Sequence, residues 1–206
     1  MRFLAFSDLH DDEQAFEKLR ELSQQFDHTF LCGDLASSNQ FAHTIIESFP
    51  KGFIIPGNGE PRHVQDVFSQ SPQWIHEKRV ELGEINIVGF GLSPPTPFGT
   101  YGEISDDEIY SRMSKLPIDD KTILVLHAPP KGYFDEIRSQ HVGSESILRI
   151  IKEKKPLAAV FGHIHEYQGT EMLGKTLLVK LPAAMHMKAC ILSYKDKKPE
   201  AQFIML

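Results

Sequence analysis

Short apolar runs that each break off on an aspartate, an asparagine or a histidine constrain this chain more than any other feature. "RFLAFS" runs into "SDLH", which supplies Asp8 and His10. "HTFLCG" leads to Asp34 and "GFIIPG" to Asn58, while "TILVLH" ends on His127 and "LAAVFG" leads into His163 and His165. Runs of this length, rich in β-branched and aromatic residues, read as buried strands. Ala15, Leu19, Leu22 and Phe26 between the first two share one helical face, and a second helix is expected from about Asn39 to Ser48. "INIVGF" reads as a further core strand, with helices near 105–115 and 144–154. Strands alternating with helices predict parallel pairing, and loops leaving adjacent carboxyl ends converge on one crevice. After Ile164 the runs "LLVKL", "CILSY" and "QFIML" follow one another with turns only, which predicts antiparallel strands finishing a second sheet. The expected architecture is α/β, a two-sheet sandwich with helices outside, in one domain over 1–206.

Composition narrows the function classes. The 206 residues carry a formal net charge of −6 and lysines only in small clusters such as "KEKK" and "KDKK", which argues against a nucleic-acid footprint. No stretch approaches the roughly 18 apolar residues of a membrane span, and "MRFLAFSDLH" becomes charged too early for a signal peptide. A cytoplasmic location and no membrane partner are the expectation. Cys32 and Cys190 lack metal-site spacing and read as buried free thiols.

Taken singly, each polar strand end has an ordinary explanation. Asp8 could cap the following helix, Asp34 could form an Asx-turn, Asn58 could be a turn residue, and each histidine could be merely hydrogen-bonded. Together they place two carboxylates, one amide and four imidazoles on converging loops, an arrangement costly to hold without a cation. The i, i+2 spacing of Asp8/His10 and His163/His165 turns both side chains of a pair to one site if the loop continues the extended strand. Seven mixed oxygen and nitrogen donors suit two divalent transition metals, and the absence of cysteine argues against a closed structural zinc site. Gly33, Gly57 and Gly162 precede ligand positions and permit close backbone approach.

The ordered series D-x-H, G-D, G-N, a lone H and G-H-x-H, from residue 8 to residue 165, resembles the calcineurin-like metallophosphoesterase superfamily. The resemblance implies a four-layer αββα sandwich of two mixed sheets flanked by helices. It implies one metal held by Asp8, His10, Asp34 and His165 and another by Asp34, Asn58, His127 and His163, with Asp34 bridging. Catalytic roles follow for Asp34, Asn58 and His127. Manganese is the first candidate metal, with iron, nickel, zinc and magnesium as alternatives. "HAPPKGYFD", "HVGSES" and "KPLAAVFGHIHEYQG" look like the small phosphodiesterase branch related to fetal-brain metallophosphoesterases, whose activity is on phosphodiesters including cyclic nucleotides. Ser37 stands where the red-iron phosphatases of the superfamily carry tyrosine three residues after the bridging aspartate, so no tyrosinate charge transfer is expected.

The implied reaction is hydrolysis of a small-molecule or nucleotide phosphodiester by a metal-bridging hydroxide, the ions standing about 3.5–4 Å apart. The alternatives are a non-catalytic metal-binding scaffold or nucleotide-binding protein of the same fold, and a nuclease. A homodimer is left open. In the loop "GLSPPTPFGTYGE", Phe98 and Tyr101 offer a face for a base or aryl group, or else plug the sandwich edge. Ser144 reads as a helix cap or as a phosphate-binding helix start, and His141 as a candidate substrate contact. Many superfamily members carry a leaving-group acid histidine directly after the ligand asparagine, where this chain has Gly59. Either the reaction proceeds without that acid or another residue replaces it, with His63 the nearest in sequence.

Overall fold

The computed structural model describes residues 1–206. The first half runs β1 (Arg2–Phe6), α1 (Glu13–Ser23), β2 (His28–Cys32), α2 (Asn39–Ser48), β3 (Gly52–Ile55) and α3 (Arg62–Ser69). β1, β2 and β3 pair in parallel, Phe3 opposite His28 and Thr29 opposite Gly52. Strand alternation sends Leu4, Phe6, Leu31 and Ile54 under α1–α3, where they meet Phe16, Leu19, Ile45 and Phe68. Phe3, Ala5, Phe30, Cys32 and Ile55 face the other way. Because both faces are covered, these strands read as unbroken apolar runs rather than as an alternating pattern.

The second half contributes β4 (Arg79–Leu82), β5 (Ile85–Phe90), α4 (Asp106–Met113), β6 (Thr122–Leu126), β7 (Glu136–Ile137), β8 (Gln140–His141), α5 (Glu145–Lys154), β9 (Ala158–Phe161), β10 (Gly169–Leu173), β11 (Thr176–Lys180), β12 (Lys188–Lys195) and β13 (Lys198–Met205). The strand order is β13-β12-β1-β2-β3 in one sheet and β10-β11-β9-β6-β5-β4 in the other. Side chains from both sheets fill the middle of the sandwich, among them Phe3, Phe30, Ile87, Val125, Val160 and Val179. On the outer face of the second sheet, Ile109, Met113, Ile147 and Ile150 of α4 and α5 cover Val88, Phe90, Leu126 and Phe161. The expected four-layer αββα sandwich of two mixed sheets is the observed one.

Four of the five helices start on a side-chain cap: Asp12, Ser38, Ser105 and Ser144 accept from the amides of Ala15, Phe41, Glu108 and Ile147. Such a cap stabilises by about 1 kcal/mol. Asp12, not Asp8, caps α1, so the ordinary explanation of Asp8 fails.

The tail departs from the sequence expectation. β10 and β11 form a hairpin on the second sheet, β11 lying parallel to β9, whereas β12 and β13 complete the first sheet beside β1. The crossing is made by residues 181–187, through a 3-10 turn at Ala184–His186 near which the Ala184 and Met185 amides bond the Ser7 and Asp8 carbonyls. Apolar periodicity cannot tell which sheet a strand joins. β4, a partly exposed antiparallel edge strand, lacks the apolar run that marks the core strands. No helix is long and apolar enough to cross a membrane.

Candidate metal centre

The parallel strands β1, β2, β3, β6 and β9 end at one rim of the sandwich, and the seven candidate residues sit on the loops that leave them. The β1 and β2 loops are zipped together by backbone bonds, the Asp8 and His10 amides donating to Gly33 O and Asp34 O at 3.0 Å each. Asp8 (φ 56°), His10 (φ 49°), Asp34 (φ 54°) and His163 (φ 72°) are left-handed. The loops therefore do not continue the extended strands, and this corrects the expected basis of the i, i+2 pairs. The side chains converge through tight left-handed turns instead, a conformation costing about 1–3 kcal/mol per non-glycine residue and concentrated at functional sites.

Potential ligand atoms of Asp8, His10 and His165 lie within 4.8 Å of one another, as do those of Asp8, Asp34 and His127. Asp34 Oδ2 lies 3.9 Å from His10 Nε2 and 3.6 Å from His127 Nε2, so one carboxylate oxygen stands between the two halves of the site. Its other oxygen accepts from the Gly59 amide at 2.7 Å, not from its own turn. A methyl group on Gly57 would come within 2.0 Å of that oxygen, so residue 57 must lack a side chain for Asp34 to take this position. His163 lies with His127 at a ring-centroid separation of 5.0 Å, and His10 with His165 at 5.3 Å.

Two observations show that these donors suit a cation. Asp8 is fully buried and its Oδ1 has no hydrogen-bond partner, the His165 Nε2 being 3.4 Å away. An orphaned buried carboxylate oxygen is expensive unless something positive meets it. The second observation concerns His127. Its Nδ1 lies 2.9 Å from the Cys32 carbonyl, which can only accept, so a neutral ring presents a bare Nε2. That Nε2 lies 2.8 Å from Asn58 Oδ1, another acceptor. The amide orientation is fixed from outside: Asn58 Nδ2 donates to Thr100 Oγ1 at 2.7 Å, and Thr100 Oγ1 donates to the Glu103 carboxylate at 2.6 Å. Two lone pairs held face to face in a buried site call for a positive charge between them.

The electrostatics agree. Burial alone would raise the Asp8 carboxyl, but His165, His127 and the Lys180 ammonium hold it well below the usual carboxylate range. Burial, with His127 beside it, pushes the His163 imidazole down to about 3, which keeps it neutral as a ligand must be. The Asp8 carboxylate beside it raises His165.

Several site residues escaped the sequence reading. Cys32 serves through its backbone carbonyl, while Thr100 and Glu103 orient Asn58 from a loop whose aromatics alone stand out in the sequence. Glu60 is buried and accepts from the Leu35 amide at 2.6 Å and from the Gly57 amide, tying the β2 and β3 loops together; burial and the nearby Asp34 push its carboxyl up to about 8. Lys180, inside the run "LLVKL", is fully buried with its ammonium donating to Leu181 O at 2.5 Å, and burial lowers it to about 8. The "GNGE" quartet contains the signal for Glu60, since a carboxylate between a ligand and a helix start has loop amides in reach. Ser144 is the cap of α5, and the Asp106 carboxylate already occupies that helix start, accepting from the Ser146 amide at 3.0 Å and from the Ser144 and Ser146 hydroxyls. The phosphate-binding expectation for Ser144 is thereby overturned. Phe98 and Tyr101 are 85% and 64% exposed, so neither plugs the sandwich edge. His63 is exposed in the first turn of α3, and Cys32 and Cys190 are buried free thiols.

An uncharacterized protein of Methanocaldococcus jannaschii is 30% identical over 191 residues, 87% of each chain. A crystal structure of a Thermus thermophilus protein superposes with a TM-score of 0.73 at 20% identity, over 98% of this chain and 97% of that one. A structure described as a novel archaeal phosphodiesterase gives 0.57 at 14% identity, over 99% of this chain and 100% of the other. At these identities the structural likenesses speak for the fold alone. The sequence profile of the calcineurin-like phosphoesterases matches residues 1–167, a span that takes in all seven donors and stops just past His165, and the chain belongs to that family.

Proposed function

We propose that this protein is a dinuclear metal-dependent phosphodiesterase acting on small phosphodiesters that carry a planar group such as a nucleobase. One ion is held by Asp8, His10, Asp34 and His165, the other by Asp34, Asn58, His127 and His163, within one catalytic domain spanning 1–206. The observation that carries this reading is the position of Asp34 Oδ2, within 4 Å of an imidazole from each proposed set. When bound, two divalent ions supply Lewis acidity that neutralises the phosphate oxygens and activates a water. The residues of the chain do the rest. The Asp34 and Asp8 carboxylates provide the negative charge, Asn58 adds an oxygen donor without adding charge, and the Cys32 carbonyl holds the His127 ring in the tautomer that leaves Nε2 free.

Support for a planar substrate group comes from the loop over 93–103. Its Thr100 touches Asn58, its Gly102 amide donates to the Asn58 carbonyl at 2.9 Å, and it displays Phe98 and Tyr101 to solvent. Two exposed aromatic rings on a loop fastened to a proposed ligand suit stacking against a base or aryl ring. The phosphodiesterase description of one structural neighbour is consistent with this choice.

The test is a count of bound divalent ions per chain after gentle purification, joined to a manganese-supplemented screen across monoesters, diesters, cyclic nucleotides and pyrophosphates. Two ions per chain and a preference for base-bearing diesters are expected. A chain that binds no divalent ion in either proposed set and cleaves none of these esters overturns the proposal.

A further inference from the structure

Resting on the phosphodiesterase reading, the geometry points to His141, oriented by Asp135, as the acid that protonates the departing oxygen. This pair takes the place of the acid missing at Gly59.

Asp135 is buried to 1% exposure and accepts three hydrogen bonds: from the Gly132 amide at 3.1 Å, from the Gly143 amide at 2.8 Å and from His141 Nδ1 at 2.7 Å. A carboxylate already serving two amides is an acceptor toward the ring, so Nδ1 donates. His141 is 50% exposed, and nothing within the chain engages its Nε2. The two amides occupy Oδ2 and hold the loop, while Oδ1 is given to the exposed imidazole alone. The hairpin turn does not need it, since Arg138 (φ 48°) and Ser139 (φ 62°) already form the paired left-handed turn suited to two short antiparallel strands.

The position of the hairpin makes the arrangement useful. Glu136 pairs with His141 in the β7–β8 register, and the Glu136 carbonyl accepts from the Tyr167 hydroxyl at 2.9 Å, two residues beyond His165. On the other side the Ser144 amide donates to Pro129 O at 2.9 Å, two residues beyond His127, and a Cβ on Gly143 would meet that same carbonyl at 2.9 Å. The strand carrying His141 is thus fastened to the loops that follow two proposed ligands, one from each metal set. His63 has no comparable support: it is exposed at the uncapped start of α3.

The proton balance is simple. The imidazolium carries Nδ1–H toward Asp135 and Nε2–H toward the ester. As the water oxygen bonds to phosphorus and releases its proton to solvent, the P–O bond to the leaving group breaks. The departing oxygen takes the bonding pair together with the Nε2 proton and leaves as a neutral alcohol. The imidazole keeps its Nδ1–H bond to Asp135 and regains the Nε2 proton from solvent.

The test is hydrolysis of a series of methyl aryl phosphates of rising phenol pKa, ending in an alkyl diester, by the wild-type chain, His141→Ala, His141→Gln and Asp135→Asn, with melting temperatures measured alongside. A positioned acid contributes about 10²- to 10⁴-fold. His141→Ala is therefore expected to lose on the order of 10²-fold on the poorest leaving groups and little on p-nitrophenyl esters, with unchanged bound metal and a lowered melting temperature, since Asp135 Oδ1 loses its partner. His141→Gln, which can donate a hydrogen bond but not a proton, should share the leaving-group pattern, and Asp135→Asn should show it more weakly. An equal loss across the series, or no loss, overturns this proposal while leaving the phosphodiesterase reading intact. A wild-type chain that cleaves no member of the series overturns both.

Discussion

Two loops flank the candidate centre, and each is organised by one carboxylate. In the loop over 93–103, Glu103 gathers the Thr96 hydroxyl, the Thr100 amide and the Thr100 hydroxyl. In the segment over 131–143, Asp135 gathers two glycine amides and an imidazole. The first carboxylate acts inward, through Thr100 to the orientation of Asn58. The second acts outward, fixing the half-exposed ring of His141. On the proposed reading the same device would serve metal binding on one side and substrate chemistry on the other, and mutation can separate the two.

Removing the floor beneath both loops has the largest expected effect. Asp34→Asn should lose bound metal and turnover together, because on the proposed assignment the bridging carboxylate would serve both ions whereas each other ligand would serve one. Two ions per chain and near-normal turnover in that variant would show that Asp34 does not bridge. Next comes the contrast between the loops themselves. Glu103→Gln disturbs a partner behind a ligand, a change that typically costs about 10- to 100-fold in metal affinity or activity. A metal titration should show the loss in Glu103→Gln and not in Asp135→Asn. Equal metal affinities in the two variants would collapse the distinction.

The aromatic tips are expected to matter less, and only for some substrates. Stacking of a base on an aromatic side chain contributes about 1–3 kcal/mol, so Phe98→Ala and Tyr101→Ala should raise KM for base-bearing diesters and leave dialkyl esters unaffected. Equal KM changes for both substrate classes would deny the platform.

Acid should then loosen the first loop. Burial would raise the Glu103 carboxyl, but the Thr100 and Thr96 hydroxyls and amides hold it down at about 2, below the ordinary value of 4.5. A depressed folded value stabilises above the unfolded one, and that stabilisation is lost as pH falls from about 4.5 through about 2. Amide protection across 96–103, taken relative to the intrinsic exchange rate at each pH, should fall down this range in the wild-type chain and be low throughout in Glu103→Gln. The smallest effect belongs to His63→Ala, an exposed substitution expected to stay within about 0.5 kcal/mol in stability and to leave turnover unchanged at every leaving group.

Much of this was readable from the amino-acid order, for a physical reason. Strands buried on both faces must be apolar without interruption, so the residue at which each run breaks marks a carboxyl end, and Asp34, Asn58 and His127 stand out there. The layers followed from the same runs. What stayed hidden depends on partners distant in sequence. The Cys32 carbonyl that fixes His127 carries no residue-type signal, and Thr100 meets Asn58 across 42 positions. Lys180 looks like an ordinary strand residue, yet in the folded chain its side chain is fully buried. The choice of sheet for β12 was invisible because a strand's periodicity describes its faces and not its neighbours.

That choice has a consequence for how the protein comes into being. β1 takes β12 as its outer neighbour, Arg2 opposite Ser193, and the loop carrying Asp8 is held by amides from Ala184 and Met185. The first of the proposed ligands in chain order is thus fixed by a segment that follows all the others. Pairings of such separation close slowly and raise the contact order, while chains emerge from their N-terminal end. A nascent chain holds β1, β2 and β3 long before the Asp8 loop is locked, so at the proposed centre the capture of an ion would wait on the segment over 181–187.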